Sequence, residues 1–143
     1  MKTGSLARLA GMLFYLLPVM AAEGEAAQEP SLKEIMQGLQ DDVYAIANGL
    51  FTDDMDRIAE GAAGIAHHPA IPKEQVQNMV AELGPEMPAF KAFDEQVHKL
   101  SVSIVSAAES HDRERVAADF QRLISGCLAC HTSYKERVSR VLQ

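Results

Sequence analysis

Cysteine is nearly missing from this chain: its 143 residues contain two, Cys127 and Cys130, so no second pair exists to complete a four-thiolate metal site. Strand-like alternation is missing altogether, which argues against a sheet-based fold. Aromatic residues make up 6% of the chain, and basic residues are outnumbered, 13 Lys and Arg against 20 Asp and Glu. That acidic balance argues against nucleic acid as a partner. The longest apolar run is broken at Pro18 and falls short of the roughly 20 residues a membrane-spanning helix requires. No methionine follows Cys127.

What is present begins with Lys2 and Arg8, followed by an apolar run from Leu9 to Met20 and then small residues. Residues 1–21 read as a secretory signal peptide cleaved after Ala21 or Ala22, the alternative being a membrane anchor. The protein is therefore expected to be exported, to the periplasm. Loss of Lys2 and Arg8 leaves 11 basic residues against the same 20 acidic ones, or −9. Such a surface keeps a protein soluble and steers it toward basic patches on protein partners. Residues 22–30, small and acidic and ending in Pro30, read as a flexible leader. The length of 31–143 suits one compact domain.

Ser31 and Glu34 have capping-box spacing, and Leu32, Ile35, Met36, Leu39, Val43, Ile46 and Leu50 recur at helical intervals. The spacing predicts a first helix over 31–50. Thr52 is the expected cap of a second, over 53–67, which Pro69 and Pro72 terminate. A short helical segment over 73–82 ends at "LGPEMP", and Phe90, Phe93, Val97, Leu100 and Ile104 mark a third long helix over 88–108. Asp112 can cap a fourth, whose stripe runs from Val116 through Cys127 and Tyr134 to Val141. Four amphipathic helices joined by mostly short connections predict an all-α antiparallel bundle, a fold that builds cofactor sites between facing helices.

Within the last helix lies Cys127-Leu128-Ala129-Cys130-His131, the C-x-x-C-H attachment signature of c-type haem. Positions i, i+3 and i+4 share one helix face, so two thiols can bond the porphyrin while the imidazole turns toward iron. Three other readings compete. A thioredoxin-like redox pair needs a strand-turn-helix context and a helix start. Zinc needs four ligands, and only adjacent His67 and His68 offer more. A plain disulfide suits an exported protein but leaves His131 unexplained.

With this motif on the last helix of a four-helix chain, and any methionine ligand obliged to come from upstream, the sequence resembles the cytochrome c-prime family, or class II cytochromes c. The resemblance covers essentially all of 31–143, from "SLKEIMQGL" to "CLACHTSYKERV". It is strong at the C-terminal motif, where Tyr134 and Lys135 follow His131 as an aromatic and then a basic residue, and diffuse elsewhere. It implies one haem c, covalently held by Cys127 and Cys130, with His131 as proximal iron ligand. The family's two functional types differ at a position that the resemblance puts at Met36. An aliphatic residue there leaves iron open to small gases, whereas methionine makes a low-spin electron carrier. Met36 shares a stripe with Leu32, Leu39 and Val43, and ordinary core packing is the alternative role for it. The family's frequent arginine four residues earlier is here Leu32, with Lys33 beside it.

The implied function is that of a monohaem cytochrome, not an enzyme, passing single electrons between periplasmic redox proteins. The alternatives are a five-coordinate cytochrome c-prime that binds or scavenges nitric oxide or carbon monoxide, and a subunit of a larger periplasmic redox complex. Family members often dimerise through their first two helices; Tyr44 flanks the main stripe here, which fits monomer and dimer alike. Met55, Met79 and Met87 are weaker candidates to approach the haem, with core packing the alternative for each; His67 and His68 are expected at the surface at the end of the second helix, and His98 and His111 away from iron. Phe90, Phe93 and Tyr134 suit either porphyrin contact or core packing, and Lys135 either the proximal face or solvent near a helix end.

Overall fold

At Ser31 the capping box forms: its hydroxyl accepts the Glu34 N–H while its own N–H donates to Glu34 Oε2 at 2.8 Å, starting α1 at Leu32–Thr52. The structure is a computed structural model that describes residues 29–142, so the signal peptide expected at 1–21 and most of the leader at 22–30 lie outside the described residues. The next cap differs from expectation. Asp53 adopts left-handed backbone (φ 59°) and ends α1, so that Asp54, not Thr52, caps α2 (Met55–Ala66), accepting the Arg57 N–H at 3.0 Å. Thr52 instead donates its hydroxyl to the Asn48 carbonyl at 2.9 Å. Residues 52–54 are all able to cap, and the left-handed turn at Asp53 selects among them.

After α3 (Lys73–Leu83), one 3₁₀ turn at Gly84–Glu86 leads into α4 (Met87–Glu109), which holds Pro88 in its first turn, where a missing N–H costs nothing. Asp112 accepts the Arg115 N–H at 3.0 Å and opens α5 (Arg113–Val141). No strand occurs among the described residues, and no described helix is long and apolar enough to cross a membrane.

Cross-helix contacts fix the topology. Gly61 of α2 backs onto Asp42 of α1, so closely that a Cβ there would lie 2.7 Å from the Asp42 carbonyl oxygen. His98 Nδ1 of α4 lies 3.1 Å from the Ala66 carbonyl at the end of α2, and Ser103 of α4 bonds Asp119 of α5. Arg113 at the start of α5 donates to the Leu50 carbonyl near the end of α1 at 2.8 Å. Each helix thus runs antiparallel to the next, giving an up-down-up-down bundle of α1, α2, α4 and α5. α3 lies across one end.

Two apolar clusters fill it. The larger joins Ile46, Ile58, Ile65, Ile104, Val116 and Leu123 from all four long helices. The second, at the end closed by α3, joins Leu32, Met79, Leu83, Met87, Tyr134 and Val138. α3 is tied to α1 by the Leu32 N–H donating to Gln75 Oε1 at 2.8 Å, and to α5 by Arg137, which donates to Glu82 and, at 2.9 Å, to Glu86.

Candidate functional site

Cys127, Cys130 and His131 sit well inside α5, the longest helix at 29 residues. Both cysteines are free and half-buried. Cys127 packs against the larger cluster and Cys130 against the second, so the motif straddles the junction of the two cores. Burial pushes both thiols above the ordinary cysteine range; for Cys130 the neighbouring Cys127 and the Asp94 carboxylate add to the effect. Asp94 in turn lies 3.6 Å from His68 Nε2. Such thiols stay protonated near neutral pH, whereas a redox-active pair relies on a lowered thiol pKa at a helix start. Nor does zinc suit the site: among the described residues no group of three or more His, Cys, Asp and Glu side chains converges to hold a metal ion. Two thiols and one imidazole on a single helix face fit a group that brings most of its iron ligands with it, as haem does.

Rotation about the helix axes shows which way the motif faces. On α5, Gly126 backs onto Val97 and Asp119 bonds Ser103, so that flank meets α4. His131 lies roughly 120–140° around the helix from both. On α1, Asp42 meets Gly61 and Gly49 meets Ile58, so that flank faces α2. Met36 lies at a similar angle from both, roughly 120–140°. Met36 and His131 therefore occupy the flanks of α1 and α5 that border each other, at the one seam of the bundle where neighbouring helices touch only sparingly. Height agrees as well. Leu32 shares a cluster with Tyr134 and Val138, and the antiparallel register brings Met36, one turn further along, level with the turn Cys130–Tyr134.

The expectation that Met36 joins the inward stripe needs correction. Leu32 is buried and Leu39 and Val43 are half-buried, but Met36 is 40% exposed, at the edge of the seam. Helical periodicity identifies the apolar arc of α1; only the position of α5 tells which part of that arc is covered. Leu128 (61% exposed) and His131 lie open in the same way. Around Cys130, Tyr134 is buried with Phe90 and Phe93 meeting it edge-on, at ring-centre distances of 5.6 and 6.1 Å. Met79 and Met87 are buried, Met55 is half-buried, and Lys33, Lys135 and Tyr44 are exposed. His67, His98 and His111 are exposed, and His68 is half-buried. No protein-family model, curated protein or solved structure matches the chain.

One feature of the bundle went unread in the sequence: Asp119, buried at 3% exposure, held by Ser103 from α4 and by Arg122 from its own helix. Its partners lie up to sixteen positions away in sequence. Arg115 and Arg122 reach it by helical spacing, but only the pairing of α4 with α5 brings Ser103 to it and buries it.

Proposed function

We propose that this protein is a monohaem c-type cytochrome of the c-prime kind that carries single electrons between redox partners outside the cytoplasm. Cys127 and Cys130 would hold haem c through thioether bonds, with His131 as proximal and Met36 as distal iron ligand. The observation that carries this reading is the C-x-x-C-H motif on the flank of α5 bordering the α1–α5 seam, with Met36 level with it on α1. Haem supplies a one-electron iron couple, whose potential Met/His ligation raises. The chain's part is to fix the ring by two thiols on one rigid helix, to orient the imidazole from the next position, and to bring apolar side chains of both clusters against the attachment point. Met36, 40% exposed at the edge of the seam, belongs to neither apolar cluster, which weighs against a packing role.

Absorption spectra of the oxidised and reduced protein, with and without carbon monoxide, test the reading. The expected result is haem that survives denaturation on the chain, a low-spin ferric spectrum with a sulfur-to-iron band, and slow carbon monoxide binding. Met36→Ala should convert it to a high-spin, rapidly carbon monoxide-binding form that keeps its covalent haem and its helical circular dichroism. A high-spin spectrum in the unaltered protein would move the assignment to the gas-binding type. Absence of covalent haem would end both.

A further inference from the structure

On the other flank of α5, away from the motif's seam, α4 and α5 enclose an open groove of about 740 Å³, lined by Gln96, Lys99 and Ser103 on one side and Arg115, Asp119 and Arg122 on the other. Its floor is a buried carboxylate. Ser103 Oγ donates to Asp119 Oδ2 at 2.6 Å, Arg122 donates to the other oxygen, and Arg115 lies 3.8 Å away while donating to Ser103 Oγ at 2.9 Å. One carboxylate and one hydroxyl thereby set the orientation of two guanidinium groups whose side chains remain 50% and 64% exposed. Each keeps donor edges turned to solvent.

With Lys99, the two arginines outweigh Asp119 and Glu95, so the groove is locally cationic on a chain whose net charge is −7. α5 is also the one described helix in which basic residues outnumber acidic ones. Along α4 the groove runs from Ala92 to Ser103, about 16 Å at the helical rise, which matches four or five residues of extended chain better than a single small anion. Ala92 and Leu100 add apolar wall between the charges.

We propose that this groove docks an acidic segment of a protein partner, Arg115 and Arg122 receiving its carboxylates and Leu100 the intervening aliphatic carbons. Guanidinium forks match carboxylates bidentately, and pre-orienting them lowers the ordering cost of binding. The inference does not depend on the cofactor: it concerns the opposite flank of α5 and stands or falls without any spectrum.

The test is fluorescence anisotropy of a labelled hexaglutamate peptide titrated with the full-length protein at low ionic strength. The expected result is saturable binding that weakens as salt is raised, and that falls about tenfold in the Arg115→Gln/Arg122→Gln double variant. Because that variant strips partners from buried Asp119, Lys99→Gln serves as a second probe that leaves the Asp119 cluster intact and unpairs only Glu95, 3.6 Å from Lys99 on the exposed face of α4; it should weaken binding about threefold. A Lys135→Gln/Arg140→Gln variant, equal in charge change and outside the groove, should bind within about twofold of the unaltered protein. Equal losses in the two double variants, no effect of Lys99→Gln, or no saturable binding would overturn the proposal. So would displacement of the peptide by inorganic phosphate at an ionic strength where sodium chloride does not displace it, which would assign the groove to a small anion.

Discussion

Asp42 and Asp119 are both carboxylates set into helix interfaces, and their surroundings treat them differently. Asp119 is clasped by Ser103 and Arg122. The Asp42 carboxyl instead lies against Gly64 of α2, where burial, reinforced by Asp41, pushes its pKa above the ordinary aspartate value. A carboxyl raised in the folded state is favoured there in its neutral form. Its contribution to stability is full below the ordinary aspartate range and is lost as pH climbs through the raised value. Asp42→Asn, neutral at every pH, should therefore melt higher than the unaltered protein at pH 7, the difference shrinking toward zero as pH falls below the carboxyl range. Thermal melts of both proteins across that range check this; a difference that grows on acidification would show that burial does not govern Asp42. Neither carboxylate stands out in the sequence, because each owes its environment to a helix distant along the chain.

Single elements were far more legible than their contacts. The Ser31–Glu34 box, the prolines around α3 and the Asp112 cap each act within a few residues, and the helices begin and end close to where those signals predict. The miscast cap at Thr52 and the exposed Met36 have a different origin: one depended on a left-handed turn, the other on which helix stands next to α1. Glycines of one helix pair make the distinction testable. A Cβ on Gly61 would lie 2.7 Å from the Asp42 carbonyl oxygen and 3.0 Å from Ala45 Cβ, whereas one on Gly38 would meet nothing within 4 Å. Gly61→Ala must part α1 from α2 and should cost about 1–3 kcal/mol. Gly38→Ala gains helix propensity without a clash and should stabilise by about 0.5–1 kcal/mol. Urea unfolding of the pair reads both signs, and equal effects would show that the close approach of α1 and α2 does not matter.

At the scale of the whole molecule, each of the two apolar clusters draws on three or more helices, and the cysteines stand at their junction. Removing both thiols should therefore leave the fold standing. A Cys127→Ala/Cys130→Ala variant is expected to keep its far-ultraviolet circular dichroism; under the proposed haem attachment it should also carry no haem through denaturation and melt at a lower temperature than the unaltered protein, by the loss of a ligand bound to the native state. Collapse of its helical signal would mean that the two clusters do not suffice. The motif was legible in the sequence because its letters are local; the seam it borders was not, because that seam is made by the first and last helices.

That same seam has a temporal meaning. Joining α1 to α5 closes the longest loop in the fold, and loop-closure entropy makes contacts of greatest sequence separation the latest and slowest to form. The hairpins α1–α2 and α4–α5 assemble from neighbours in the chain, so the α1–α5 seam, with Cys127, Cys130 and His131 on its border, is expected to close after both have formed. α3, tied to α1 through Gln75 and to α5 through Arg137 at one end of that seam, is the piece that clasps it.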